Sequence, residues 1–109
     1  MAKIKFIPIE QLLEMQENKE NFKVVEVLKE DGYKEGHIPG AINIPVEKLN
    51  EIAPKLLKKT DNIVVYCASY ACHASTNAAG ILLRMGYKNV LDFKAGKKGW
   101  LDAGIGLER

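Results

Sequence analysis

Apolar and polar positions along this 109-residue chain switch repeatedly between two periods. Short β-branched or continuous apolar runs are each followed by apolar residues at helical spacing. Ile4-Lys5-Phe6-Ile7 predicts a first strand, closed by Pro8, and Ile9, Leu12, Leu13 and Met15 predict a helix over about residues 9–17. Phe22 to Leu28 is rich in valine and reads as a second strand. Residues 29–40 hold Gly32, Gly36, Pro39 and Gly40 and read as a loop. Ala41-Ile42-Asn43-Ile44 is a short strand ended by Pro45. Leu49, Ile52, Leu56 and Leu57 form a second helical stripe, which Pro54 is expected to kink or split. Ile63-Val64-Val65-Tyr66 is continuously apolar, as a strand covered on both faces requires. A loop from Cys67 to Ala74 follows, and Ser75 suits the N-cap of the next helix, with no capping box because Ala78 lies three positions on. That helix carries Ala78, Ala79, Leu82 and Leu83, with Arg84 in its last turn and Gly86 placed to cap its end. Asn89 to Phe93 is a further strand. The glycine-rich remainder reads as loop with a short helical turn. Strands alternating with helices in this way predict one α/β domain over residues 1–109, with a mainly parallel sheet of about five strands flanked by helices.

Composition narrows the function classes. With 47% hydrophobic and 28% charged residues the chain has the makings of a core and is not of the disordered class. No apolar run approaches the roughly 20 residues of a membrane span. The start is basic but has no apolar segment behind it, so no secretion signal is read and a cytoplasmic location is expected. A net charge of +2 gives no reason to expect nucleic acid or a membrane as partner. The charge is uneven, however. Residues 1–53 carry a balance of −3 and residues 54–109 a balance of +5, so an anion is drawn to the second half.

The candidate chemistry lies in one loop. Cys67 and Cys72 are spaced C-x4-C, which is neither a C-x-x-C redox motif nor half of a zinc set, since only His37 and His73 stand ready to complete one. No metal and no cofactor is therefore called for. Cys67 directly follows the buried strand, at the end where open α/β sheets bind ligands. A loop curling there points backbone N–H groups inward and faces the positive end of a helix. Both favour thiolate, the nucleophilic form. The residues Ala68, Ser69, Tyr70, Ala71, Cys72, His73, Ala74 and Ser75 are the candidate anion-binding backbone, mostly small enough for close approach. Lys94, Lys97 and Lys98 follow the last strand, on the edge where this loop should open, and are candidates for steering an anion.

Several segments together resemble the rhodanese-like family of single-domain sulfurtransferases. They are Val24-Val25-Glu26-Val27, then Tyr33 with Gly36-His37-Ile38-Pro39-Gly40-Ala41-Ile42-Asn43-Ile44-Pro45, and Val64-Val65-Tyr66-Cys67. Ser75, Ala78-Ala79, Leu82, the stretch Gly86 to Val90, and Phe93, Gly96, Trp100 and Gly104 complete the likeness from about residue 4 to 105. The resemblance implies a three-layer fold and sulfur transfer through a Cys67 persulfide. The donor would be thiosulfate, polysulfide or a persulfidated protein, and the acceptor a thiol or a protein.

The chain departs from the family pattern at three places. Ser75 stands eight positions after Cys67, so the loop is two residues longer than usual, and it contains neither Arg nor Gly. Leu28 and Glu26 stand where the first strand usually has Arg and Asp. The oxyanion-binding C-x5-R of related phosphatases and arsenate reductases has His73 at the arginine position, and imidazole lacks the permanent planar fork of guanidinium. Cys72 has four readings: a thiol receiving sulfur from Cys67, a resolving thiol forming a Cys67–Cys72 disulfide in a redox or partner-binding module, the nucleophile itself, since only three residues separate it from the Ser75 helix start, or a small loop residue. His73 reads either as a proton donor or a surface residue. Tyr70 reads as the pocket mouth or a loop cap. His37 reads as a loop histidine bonded to backbone, and Trp100 and Tyr87 as core.

Overall fold

Parallel strands must be joined by crossovers, and here each strand is followed by a helix that supplies one. In the computed structural model, residues 4–109 are described. Along the chain run β1 (Lys5–Phe6), α1 (Ile9–Glu17), β2 (Lys23–Glu26), α2 (Glu30–Glu35), β3 (Ile42–Asn43), a 3-10 turn (Val46–Lys48), α3 (Leu49–Leu56), β4 (Asn62–Tyr66), α4 (Ala74–Arg84), β5 (Asn89–Asp92) and α5 (Gly96–Asp102). The sheet order is β1-β5-β4-β2-β3, and every pairing is parallel. β4 is central, with Val65 beside Val25 on one flank and Val64 beside Leu91 on the other. The chain is thus a mixed α/β fold with a five-stranded parallel sheet and helices on both faces.

Alternation along the strands divides the interior into two cores. Val25, Ile63 and Val65 pack with Leu49 and Ala53 of α3 and with Ala78, Ala79 and Leu82 of α4. Val24, Val64 and Tyr66 pack with Leu12 and Met15 of α1 and with Trp100 of α5. No helix among the described residues is long and apolar enough to cross a membrane.

Four local expectations change. Residues 29–40 are not all loop, because α2 forms over Glu30–Glu35 despite Gly32. Tertiary bonds hold that helix: the Tyr33 hydroxyl donates to the Ala41 carbonyl at 2.6 Å, and the Lys97 ammonium donates to the Gly32 carbonyl at 2.7 Å. Residues 96–102 form a two-turn helix rather than a short turn. Its orphan N-terminal donors find carbonyls on the Cys67 loop, which offsets the low helix propensity of Gly96 and Gly99. Pro54 lies inside α3 but only two residues from its end, so the lost bond falls in the last turn. His73, not Ser75, is the N-cap of α4, and Ser75 lies buried within the helix.

The expected stop of α4 at Gly86 is borne out. Gly86 has φ +99°, its N–H bonds the Leu83 carbonyl at 3.1 Å, and the Tyr87 N–H bonds the Leu82 carbonyl at 3.1 Å. These are the paired bonds of a Schellman cap, and they need a residue that enters the left-handed region without strain.

Candidate active site

The site is built at the carboxyl end of β4. Side chains along a strand alternate, so Cys67 falls on the same face as Val65, toward α4. Its residue is fully buried, at 0% exposure. Two bonds from α5 fix its backbone. The Lys97 N–H donates to the Cys67 carbonyl at 3.0 Å, and the Lys98 N–H donates to the Ala68 carbonyl at 2.9 Å. Gly96 makes this approach possible. Its φ is +63°, and a Cβ there would collide with the Cys67 carbonyl and the Ala68 backbone. Gly96 is therefore a positioning residue that sequence reasoning counted only as part of a resemblance.

The loop then curls back on itself. The Cys72 N–H donates to the Ser69 carbonyl at 3.0 Å, and the Lys94 ammonium donates to the Cys72 carbonyl at 2.7 Å. The Cys67 thiol points at that same carbonyl from 3.4 Å. Both cysteines are free, with Cys67 buried and Cys72 half-buried. The Ser75 hydroxyl is buried without a hydrogen-bond partner. It and the Ser75 N–H favour the ionised form of Cys67, whereas the N–H groups of Ala74 and Ala68 favour that of Cys72.

These surroundings drive the two thiols apart. Burial, and then the neighbouring Cys72 sulfur, push the Cys67 thiol above its ordinary value, against the pull of Ser75. Burial also opposes ionisation of Cys72, but it is outweighed by the Cys67 thiol, the Ala74 and Ala68 N–H groups and the charge of Lys94, so Cys72 lies below its ordinary value.

The other candidate residues separate. Ala68, Tyr70, Ala71 and His73 face solvent, with Tyr70 67% exposed, while Ser69 and Ala74 are half-buried. Of the three lysines, Lys94 alone sends its side chain to the loop. The Lys97 ammonium pairs with the buried Glu26 carboxylate at 3.1 Å, and Lys98 pairs with Asp102 at 2.9 Å. Glu26 also accepts the Tyr66 hydroxyl at 2.8 Å. These buried partners make a polar floor beneath the loop, on the face opposite α4. His37 lies apart, its Nδ1 3.0 Å from the Tyr33 carbonyl and its Nε2 3.2 Å from the Glu108 carboxylate. A cavity of about 840 Å³ is lined by Glu14, Met15, Asn62 and Asn89, among others, and includes neither cysteine.

Comparison with known proteins gives the same frame. The sequence pattern of the rhodanese-like domain matches residues 8–103. The chain is 29% identical over 103 residues to thiosulfate sulfurtransferase GlpE of Shewanella oneidensis, covering 94% of this chain and 98% of that one. It is 39% identical over 67 residues to thiosulfate sulfurtransferase PspE of Escherichia coli, covering 61% of this chain and 62% of that one. Several other curated relatives are longer, and the chain spans 37% to 63% of their length. Among solved structures, the BH2092 protein of Bacillus halodurans superposes with a TM-score of 0.86 at 33% identity, over 95% of this chain and 76% of that one. With a pattern match over residues 8–103 and a solved neighbour of the same fold at 33% identity, the chain belongs to the rhodanese-like family.

Proposed function

We propose that the protein is a cytoplasmic sulfurtransferase that holds sulfane sulfur as a persulfide on Cys67. One observation carries this reading. The Cys67 sulfur is enclosed at the carboxyl end of β4, ahead of the start of α4, where the Ser75 hydroxyl is buried without a hydrogen-bond partner. A persulfide anion has its charge on the outer sulfur, and donors at a helix N-terminus stabilise charge there. Family membership and likeness to proteins named thiosulfate sulfurtransferase support the same chemistry.

Loading is a substitution at sulfur. A loop thiolate bonds to the outer sulfur of the donor, the donor's S–S bond breaks, and the remainder departs with the electron pair. Unloading repeats the step, with the thiolate of an acceptor thiol or protein bonding to the outer sulfur and the cysteine leaving as thiolate. Thiosulfate, polysulfide and a persulfidated protein all meet this requirement. The loop offers no guanidinium to clamp a sulfonate group, which favours polysulfide or protein persulfide over thiosulfate.

The nearness of two free thiols favours one second reading, a redox module cycling a Cys67–Cys72 disulfide. Intact-mass measurement separates the two. After incubation with polysulfide the wild-type chain should gain the mass of one sulfur atom, and lose it when an acceptor thiol is added. The variant with Cys67→Ser and Cys72→Ser together should gain nothing. No gain from any donor, with ready loss of two hydrogens under mild oxidation, would replace the transferase reading by the redox one.

A further inference from the structure

The buried sulfur and the reachable sulfur of this loop belong to different residues. Cys67 is fully enclosed, whereas Cys72 is half-buried between the small residues Ala71 and Ala74. The turn closed by the Cys72 N–H on the Ser69 carbonyl folds Cys72 back over Cys67. The Cys67 sulfur then lies 3.4 Å from the Cys72 carbonyl, so the two residues are in direct contact. Lys94 adds a positive charge on the solvent side, through its bond to the Cys72 carbonyl.

We propose that the loop is a two-thiol relay in which Cys72 receives sulfur from the donor and passes it inward to Cys67. This rests on the transferase reading above and assigns its order of events. In the first step the Cys72 thiolate bonds to the donor's outer sulfur and the donor remainder leaves with the electron pair. In the second, the Cys67 proton passes to that outer sulfur. The Cys67 sulfur bonds to the same atom, and its bond to Cys72 breaks with the electron pair on Cys72. Two persulfide states interconvert, no external oxidant or reductant is consumed, and Cys72 ends as the thiolate it began as. The direction follows from access, because the half-buried Cys72 is open to a donor that the enclosed Cys67 does not meet. The two extra loop residues have a purpose on this account: they bring a second cysteine back to the first.

The test is loading by polysulfide, followed by intact mass and by peptide mapping of the modified cysteine. In Cys67→Ser the sulfur should be trapped at position 72. In Cys72→Ser, loading at position 67 should slow by about tenfold or more, since the reachable thiolate is gone. Loading of Cys72→Ser at the wild-type rate, or a Cys67→Ser variant that never gains sulfur while wild type does, would overturn the relay and leave the transferase reading standing. Failure of wild type to gain sulfur from any donor would defeat the transferase reading itself. Alkylation of native wild-type protein with iodoacetamide at neutral pH provides a check free of folding effects. Cys72 should be modified before Cys67, and the reverse order would overturn the proposal.

Discussion

At the scale of single residues, the distinctive feature is a difference in burial between two free cysteines five positions apart. Position along the chain identifies Cys67, because it directly follows the buried strand. Position does not reveal that Cys67 is enclosed and its thiol raised while Cys72 is lowered, since both shifts come from groups that only the curled loop brings near. Ser75 shows the same limit. Its residue type suits an N-cap, yet His73 takes that position and the Ser75 hydroxyl is buried without a hydrogen-bond partner. Lys94 permits a direct check. An acid whose pKa is lowered in the folded protein is ionised at a lower pH, so alkylation of Cys72 should reach its plateau below the pH needed by an ordinary thiol of pKa about 8.5. Lys94→Gln should move that profile upward and slow the reaction at neutral pH, most at low ionic strength, where the ammonium is least screened. A profile for Lys94→Gln that overlies wild type would remove Lys94 from the site.

At the scale of elements, strands and long helices were legible and the short helices were not. The runs at 63–66 and 89–93 and the stripe from Ala78 to Leu83 have periods that local sequence alone displays. α2 and α5 contain glycines and are held by distant partners, so nothing within them announces a helix. Gly96 links the α5 start to the Cys67 loop. Its positive φ disfavours any Cβ, and a Cβ would also strike the Cys67 backbone. Gly96→Ala should cost about 2 kcal/mol or more of stability in urea unfolding. It should also slow sulfur loading, because the loop shifts with its anchor. Unchanged loading in a destabilised but folded variant would show that the α5 contact supports the fold without setting the site.

At the scale of the whole molecule, the buried ion pair between Lys97 and Glu26 ties α5 to the centre of the sheet. Removing the cation leaves a carboxylate without its counter-charge in a site that water does not reach. Lys97→Met should therefore cost on the order of 3–5 kcal/mol, and the double variant with Glu26→Gln should recover part of the loss. Equal stability of Lys97→Met and wild type in urea would mean that Glu26 finds another partner. The pair also shows why a cluster of three lysines misleads when read from the chain. Lys94, Lys97 and Lys98 are near neighbours in sequence, yet a helix start sends them to a loop carbonyl, a buried carboxylate and a surface aspartate. By itself the sequence determined the α/β class, the succession of the main elements and the place of Cys67, because periodicity, turn residues and strand ends are local properties of the chain. Only the tertiary structure decided which sulfur is reachable, which lysine serves the loop and which serine hydroxyl is buried without a hydrogen-bond partner. Those outcomes depend on burial and on contacts between segments far apart in sequence, where small differences in distance and solvent access set the charge state of each group.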